Sequence, residues 1–534
     1  MRTLIRGALF LGHLSLLLTF SSCSKNKSTS KQIIRLAFSS DPPTLNPVRG
    51  GDVISSTAQF MLFEGLTKMT KESSTTPALA KSIVLSEDKK TYIFLLKSVA
   101  WSDGHPVTAH DFVYAWKQML SPDFPAPNAH LLYPILNAKQ AKLGQVPLDD
   151  VGIKAKSDKL LIVTLEKPTP YFLELTSFCS FFPIPSHIAK QHPNWADKPG
   201  ELFVTNGPFS IESYSIGNEL KLVKNTLYHN KQNVSLDEII VKIIDDPMTA
   251  LLLFEKGEID FLGSPCSSIP SDSIPSLKSK NLLIHQPLGA SSFFSFNVNH
   301  PPFTNTKIRK ALSHTINREA IVQFITQVNE SPMITAIPTV LKKATTPSIK
   351  PIHFSKDECQ TLFEEGLKEL GLTRESISPL TITINENDIP KKIAQEVLSE
   401  WKKTFDIDVS IETVPTKSYL QKLYSKDFDI AYCQLVVHYN DAMNILERFK
   451  HGSNIKNYCG WENAEFIKIL DESSYIHNHD KRIHHLEKAE QILLDEMPFS
   501  PIYHWNEVYI ENANVKNIFI SPIGSAHFEN CKRI

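Results

Sequence analysis

The sequence predicts an α/β fold built around a parallel sheet, and three patterns carry that prediction. Residues 380–438 alternate strand, helix, strand, helix and strand. Strong helical periodicity marks residues 108–120 and 308–316. Strand-like character returns at 499–510, as when a chain crosses back to finish an earlier domain.

The first helix reads TAHDFVYAWKQML. Thr108 supplies the cap and Asp111 returns to its amide, a capping-box spacing. Phe112, Ala115, Trp116, Met119 and Leu120 then recur at i, i+3, i+4, i+7 and i+8, one apolar face. Ile308, Ala311, Leu312, Thr315 and Ile316 repeat that spacing in TKIRKALSHTI. In the third region LTITIN (380–385) alternates as a strand, and Ile393, Val397, Trp401 and Phe405 stripe the helix that follows. IDVSIETV (407–414) alternates again, TKSYLQKLYSKD is a short helix, and FDIAYCQLVV (428–437) closes the unit. Strands separated by helices imply parallel pairing with helices on the sheet faces. Ligands of such sheets sit outside the carboxyl ends of the strands, here Leu435, Val436, Val437 and His438.

Composition fits a folded, multi-domain protein. The 534 residues, 42% of them hydrophobic, exclude a disordered scaffold, and the length points to about three domains. Lys and Arg number 56 against 57 Asp and Glu, so no basic excess invites nucleic acid. The 34 prolines predict many loops.

The N-terminus reads as an export signal. Arg2 and Arg6 precede an apolar stretch, residues 7–20, broken by His13, Ser15 and Thr19. That run is too short to span a bilayer and fits a signal-peptide core. Ser21 and Ser22 ahead of Cys23 resemble a bacterial lipobox, in which the thiol is lipidated and becomes the mature N-terminus. Phe20 departs from the usual Leu, and an ordinary signal peptide with an incidental cysteine is the alternative. SKNKSTSK after Cys23 is a polar tether.

The search for reactive chemistry is negative. GxSxG, GxxxxGK[ST], GxGxxG and HExxH are all missing. His477, His479, His484 and His485 cluster around a polar turn, where adjacent residues point in different directions, so solvated side chains are expected rather than a metal site. No catalytic residue, metal or cofactor is expected. The cysteines other than Cys23 are Cys179, Cys266, Cys359, Cys433, Cys459 and Cys531, widely and irregularly spaced, and independent buried thiols are expected ahead of a disulfide framework.

Six motifs occur in order: DPPTLNP (41–47), LFEGL (62–66), WSDGHPVTAHDFVYAW (101–116), TLEKPTPYF (164–172), TNGPF (205–209) and FNVNHPPFTNTKIRKAL (296–312). Together they resemble the family-5 extracytoplasmic solute-binding proteins, most closely the oligopeptide-binding lipoproteins of bacterial ABC importers. The resemblance implies a two-lobed periplasmic-binding-protein fold of class II with an extra small domain and a hinge between the lobes. On that pattern residues 1–22 are the signal peptide and 23–32 the tether. Lobe I takes 33–59, 179–285 and 505–534, the small domain 60–178, and lobe II 286–504. The implied function is delivery of oligopeptides to an ABC permease and its ATPase subunits, by a monomeric protein held to the cell envelope through its N-terminal lipid. A murein peptide, a metal chelate or haem on the same scaffold is the alternative ligand, and a hydrolase is a more distant reading.

The resemblance also implies a site. Family members bind peptide as an added strand, which assigns ligand contact to Gln434, Leu435 and Val436, and Tyr114 matches an aromatic that reaches toward the cleft. His438 stands where peptide binders place the Asp that meets the α-ammonium. Leu423 and Tyr432 replace two arginines for the far carboxylate, and Thr416 and Leu435 replace pocket tryptophans. Either Asp441 takes over as anchor or the ligand presents no free α-ammonium here; the second is expected. At the other end of the chain, Cys23→Ser should release the protein from the membrane fraction. Unchanged retention, with no fatty acid on the mature N-terminus, would contradict the lipid anchor.

Overall fold

The computed structural model describes residues 31–341, 349 and 354–534. Cys23 and the signal and tether segments up to residue 30 lie outside the described residues.

An eleven-stranded mixed sheet runs through the molecule. Its order is Val409–Val414, Leu380–Asn385, Ile430–Val436, Ile284–Phe296, Phe499–Glu511, Phe261–Gly263, Ile33–Phe38, Glu238–Ile243, Glu219–Lys224 and Phe209–Ser215, with Ser331–Pro332 paired to Phe499–Glu511. The two 13-residue strands, Ile284–Phe296 and Phe499–Glu511, pair antiparallel at the centre. Their register shifts between Pro287 and Ser291. On one side of them lies the expected parallel unit, with Leu380–Asn385 parallel to both Val409–Val414 and Ile430–Val436. On the other, Ile33–Phe38 is parallel to Glu238–Ile243 and Phe261–Gly263. A separate four-stranded antiparallel sheet joins Ala80–Leu85, Thr91–Leu96, Leu160–Thr164 and Ile153–Ser157.

The family-like motifs are structural. Helix Ala109–Leu120 begins at the capping box of Thr108 and Asp111 and buries the whole predicted face, Phe112, Ala115, Trp116, Met119 and Leu120. Asp111 itself is 2% exposed. It accepts from the Thr108 amide at 2.8 Å, from the Ser186 amide at 3.0 Å and from the Ser186 hydroxyl at 2.6 Å. The Trp116 indole donates to the Phe181 carbonyl, fixing the helix to the segment that follows the small sheet. Glu64 of LFEGL is buried, accepting from the Tyr228 hydroxyl and meeting His229 Nε2 at 2.5 Å. Gly207 of TNGPF lies against the Leu62–Phe63 backbone, where a Cβ would come within 2.6 Å. Buried Arg309 donates to the carbonyls of Phe303, Thr304, Glu496 and Met497, stitching its helix to the start of a central strand.

The second predicted face is buried as well: Ile308, Ala311 and Leu312 pack on Phe363, Ile382, Trp401 and Ile430. All six cysteines among the described residues are buried free thiols. Burial pushes Cys179 and Cys459 up to about 12, so neither is a ready nucleophile. Ser291 and His504 meet at 2.8 Å, but both are buried between the two long strands.

Asp111→Ala should be markedly destabilising, because it strands several buried donors at about 1–3 kcal/mol for each group left unsatisfied. Thermal unfolding followed by circular dichroism should show the first transition several degrees lower. An unchanged transition would mean that water replaces the carboxylate.

Candidate functional site

The site is built on the backbone of Ile430–Val436. One edge of this strand pairs with Ile284–Phe296, from Phe296 opposite Ile430 to Ala290 opposite Val436. The other edge is covered only at its start, where Ile430 and Ala431 face Ile382 and Thr383. The Val437 amide donates to the Gly289 carbonyl at 2.9 Å. Peptide groups alternate sides along a strand, so Leu435 and Cys433 turn the same way. Gln434 and Val436 therefore direct their N–H and C=O groups outward. Two contacts agree with this parity. The Tyr419 hydroxyl donates to the Tyr432 carbonyl, and Arg448 Nη2 donates to the Val436 carbonyl at 2.8 Å. No strand among the described residues pairs with Gln434 on the outward side.

Side chains follow the same alternation. Ile430 and Tyr432 face the lobe core, whereas Gln434 and Val436 emerge from it into solvent. Leu435 lies on the opposite face and is buried.

Residues from the 60–178 segment cover the carboxyl end of this strand. Tyr439 stacks on Tyr171 with ring centres 4.7 Å apart and planes 11° apart. Asn440 Nδ2 donates to the Ser73 carbonyl, and Lys167 pairs with Asp471 at 3.0 Å. The His438 ring lies 5.9 Å from the rings of both His130 and Phe178. The outward edge of the strand thus ends where two parts of the chain meet.

This meeting point separates charge. Burial drives His438 well below its ordinary value, aided by Arg448, Lys456 and His130. Burial together with Lys456 and Arg448 takes His130 down to about 4. Burial and Arg448 lower Lys456 to about 8. Both imidazoles are therefore neutral at pH 7, and Lys456 Nζ lies 3.4 Å from His130 Nε2 as a donor to a neutral ring. Glu447 belongs to the opposite pole. Burial raises its carboxyl, and the charges around it are Lys167, Lys450, Asp471 and Asp441.

These features match known proteins along nearly the whole chain. Residues 74–457 match the bacterial extracellular solute-binding proteins, family 5, middle region. The oligopeptide-binding protein OppA of Bacillus subtilis is 36% identical over 511 residues, covering 95% of this chain and 93% of its own. The dipeptide-binding protein DppE of the same organism is 30% identical over 512 residues, covering 94% and 92%. The crystal structure of the murein tripeptide binding protein MppA of Escherichia coli superposes with a TM-score of 0.80 at 26% identity, covering 94% of this chain and 99% of that one. The chain belongs to family 5 of the bacterial extracellular solute-binding proteins. The fold is the two-lobed α/β architecture of that family.

Within this family-5 chain the expected site residues divide. Gln434, Val436 and His438 come together at the end of the strand, whereas Leu435 turns its peptide groups toward Ile284–Phe296 and buries its side chain on the opposite face. Tyr432 does not present its side chain there. It is 2% exposed and donates to Ser292 Oγ at 2.8 Å, because its position in the alternation turns it into the core. Tyr114 reaches the Ala189 carbonyl at 3.2 Å, with Lys190 Nζ 5.6 Å from its ring centre. Leu423 is buried and Thr416 is exposed. Asp441 is already engaged: both oxygens hold Arg482, at 2.7 and 2.9 Å, and Oδ1 also accepts from the Met443 amide. That pairing weighs against the alternative in which Asp441 anchors the ligand.

Sequence reasoning missed Arg448, Lys456 and His130, which no motif marks and which only the fold assembles. It also missed Asp103, His105 and His187, whose donor atoms lie within 4.8 Å of one another at the surface. Asp103 Oδ2 meets His187 Nε2 at 2.8 Å and His105 Nδ1 at 3.1 Å, tying the WSDG turn to the next segment. His477, His479 and His484 are exposed, and His485 pairs with Glu472 at 3.3 Å, as solvated residues would.

Asp441→Asn should act on stability, since it leaves the buried Arg482 guanidinium uncompensated, at about 3 kcal/mol. Thermal melts should show the loss, whereas discrimination between a free and an N-acetylated peptide should stay unchanged in calorimetry. A changed ratio with an unchanged melt would restore Asp441 as a ligand anchor.

Proposed function

We propose that this extracellular solute-binding protein is an envelope-anchored lipoprotein that delivers oligopeptides to an ABC-type import permease. Peptide lies as an added strand along Gln434, Leu435 and Val436. The observation that carries this reading is the outward backbone edge at Gln434 and Val436, which ends where the strand meets the 60–178 segment. A backbone edge binds any peptide of suitable length through main-chain groups, leaving side chains to roomy pockets. The names of the Bacillus subtilis relatives support peptide as the cargo.

The ligand end that reaches His438 is not an α-ammonium. A buried ammonium requires a carboxylate or several strong acceptors. Neutral His438 offers at most one acceptor, and Asp441 is held by Arg482. The likeness to the murein tripeptide binding protein supports a second reading, in which the peptide derives from the cell wall.

Binding should close the lobes without chemistry, the hinge response common among such proteins. No helix among the described residues is long and apolar enough to cross a membrane; attachment through the Cys23 lipid is part of the proposal. Mass spectrometry of the co-purifying ligand should identify an intact peptide. Adding it back to stripped protein should reduce the radius of gyration in small-angle scattering. Recovery of cleaved product over several turnovers, or of a ligand without peptide bonds, would refute the proposal.

A further inference from the structure

At the strand end where the resemblance to peptide binders would place an α-ammonium, this chain gathers cations. Arg448 and Lys456 lie beside His438 and His130 at the carboxyl end of Ile430–Val436. All four side chains are half-buried and reached by solvent. Arg448 uses Nε for the Asn444 carbonyl at 3.2 Å and Nη2 for the Val436 carbonyl at 2.8 Å. Lys456 Nζ meets only His130 Nε2 among the described residues. No carboxylate among the described residues lies within ion-pair distance of either cation. The adjacent acid, Glu447, interacts with Lys167, Lys450, Asp471 and Asp441 instead.

Two cations that repel each other in a partly desolvated site are unfavourable unless an anion joins them. A guanidinium matches a carboxylate in planar, two-pronged geometry, and an ammonium adds a point charge with rotatable donors. Tyr424 and Tyr458, 6.3 Å apart, extend the wall next to Arg448 with aromatic surface.

We propose that the ligand end meeting this strand carries a carboxylate, held by Arg448 and Lys456 beside His130 and His438. The cargo is then a peptide-like molecule that presents an anion where a free peptide presents its α-ammonium. Such a molecule is a peptide whose N-terminus bears an acidic acyl group. The inference rests on the peptide reading above and adds the charge of one ligand end.

Three probes differing only at the N-terminus test it: tetra-alanine, N-acetyl-tetra-alanine and N-succinyl-tetra-alanine. They are titrated by calorimetry into the full mature chain after its co-purified ligand has been removed. The succinyl form should bind at least about tenfold more tightly than the acetyl form, about 1.4 kcal/mol. Lys456→Met should shrink that preference several-fold while acetyl-peptide affinity changes little, and Arg448→Met should shrink it too, with some loss of acetyl-peptide affinity because Arg448 also holds the Val436 carbonyl. The affinity of the acetyl form verifies that each variant is folded. Should one variant fail to fold, the other reads the same preference. Equal binding of all three probes, or tightest binding of free tetra-alanine, overturns the anionic end while leaving peptide binding intact. A preference that survives both substitutions overturns the assignment of Arg448 and Lys456. Binding of none of the probes overturns this inference and the peptide reading together.

Discussion

A strand whose outer edge lacks a partner must satisfy its peptide groups some other way, and most of the site follows from that requirement. Each unpaired N–H or C=O taken from water without a partner is penalised by about 1–3 kcal/mol. Along Ile430–Val436 the outer edge is filled at its start by Leu380–Asn385, then by the Tyr419 hydroxyl at Tyr432, and at Val436 by Arg448. Gln434 is left between these fillers with its peptide groups turned outward and its side chain in solvent.

The same strand also joins the two halves of the molecule. Its inner edge rests on Ile284–Phe296, which pairs in turn with Phe499–Glu511, and those two strands continue into the sheet of the first lobe. The register shift between Pro287 and Ser291 falls within this crossing. At its far end, the stack of Tyr439 on Tyr171 and the hydrogen bond from Asn440 to Ser73 join the strand to the 60–178 segment.

Charge is arranged in two poles at that far end. Arg448, Lys456 and the two neutral imidazoles face the strand edge, whereas Glu447, Asp471, Lys167 and Lys450 form a mixed cluster across the lobes. The Asp441–Arg482 pair fixes the turn between the poles. Sequence neighbours 447 and 448 thus belong to different electrostatic environments, which no reading of local charge pattern distinguishes.

What the sequence determined by itself was the local order and the chain direction of its elements. The capping box at Thr108 and Asp111, the apolar stripe from Phe112 to Leu120 and the βαβαβ rhythm ending at His438 are short-range patterns, and the structure contains each of them. The family resemblance pointed to the edge Gln434–Leu435–Val436, but which of its peptide groups turn outward followed only from its pairing with Ile284–Phe296. The tertiary structure alone decided which charges meet. His130 comes to Lys456 across 326 positions, and Arg482 to Asp441 across 41. Coulomb energies depend on distance and burial after folding, neither of which is encoded in spacing along the chain. For the same reason Tyr432, a plausible ligand contact in one dimension, is a core residue in three, and Asp441, a plausible anchor, is already neutralised.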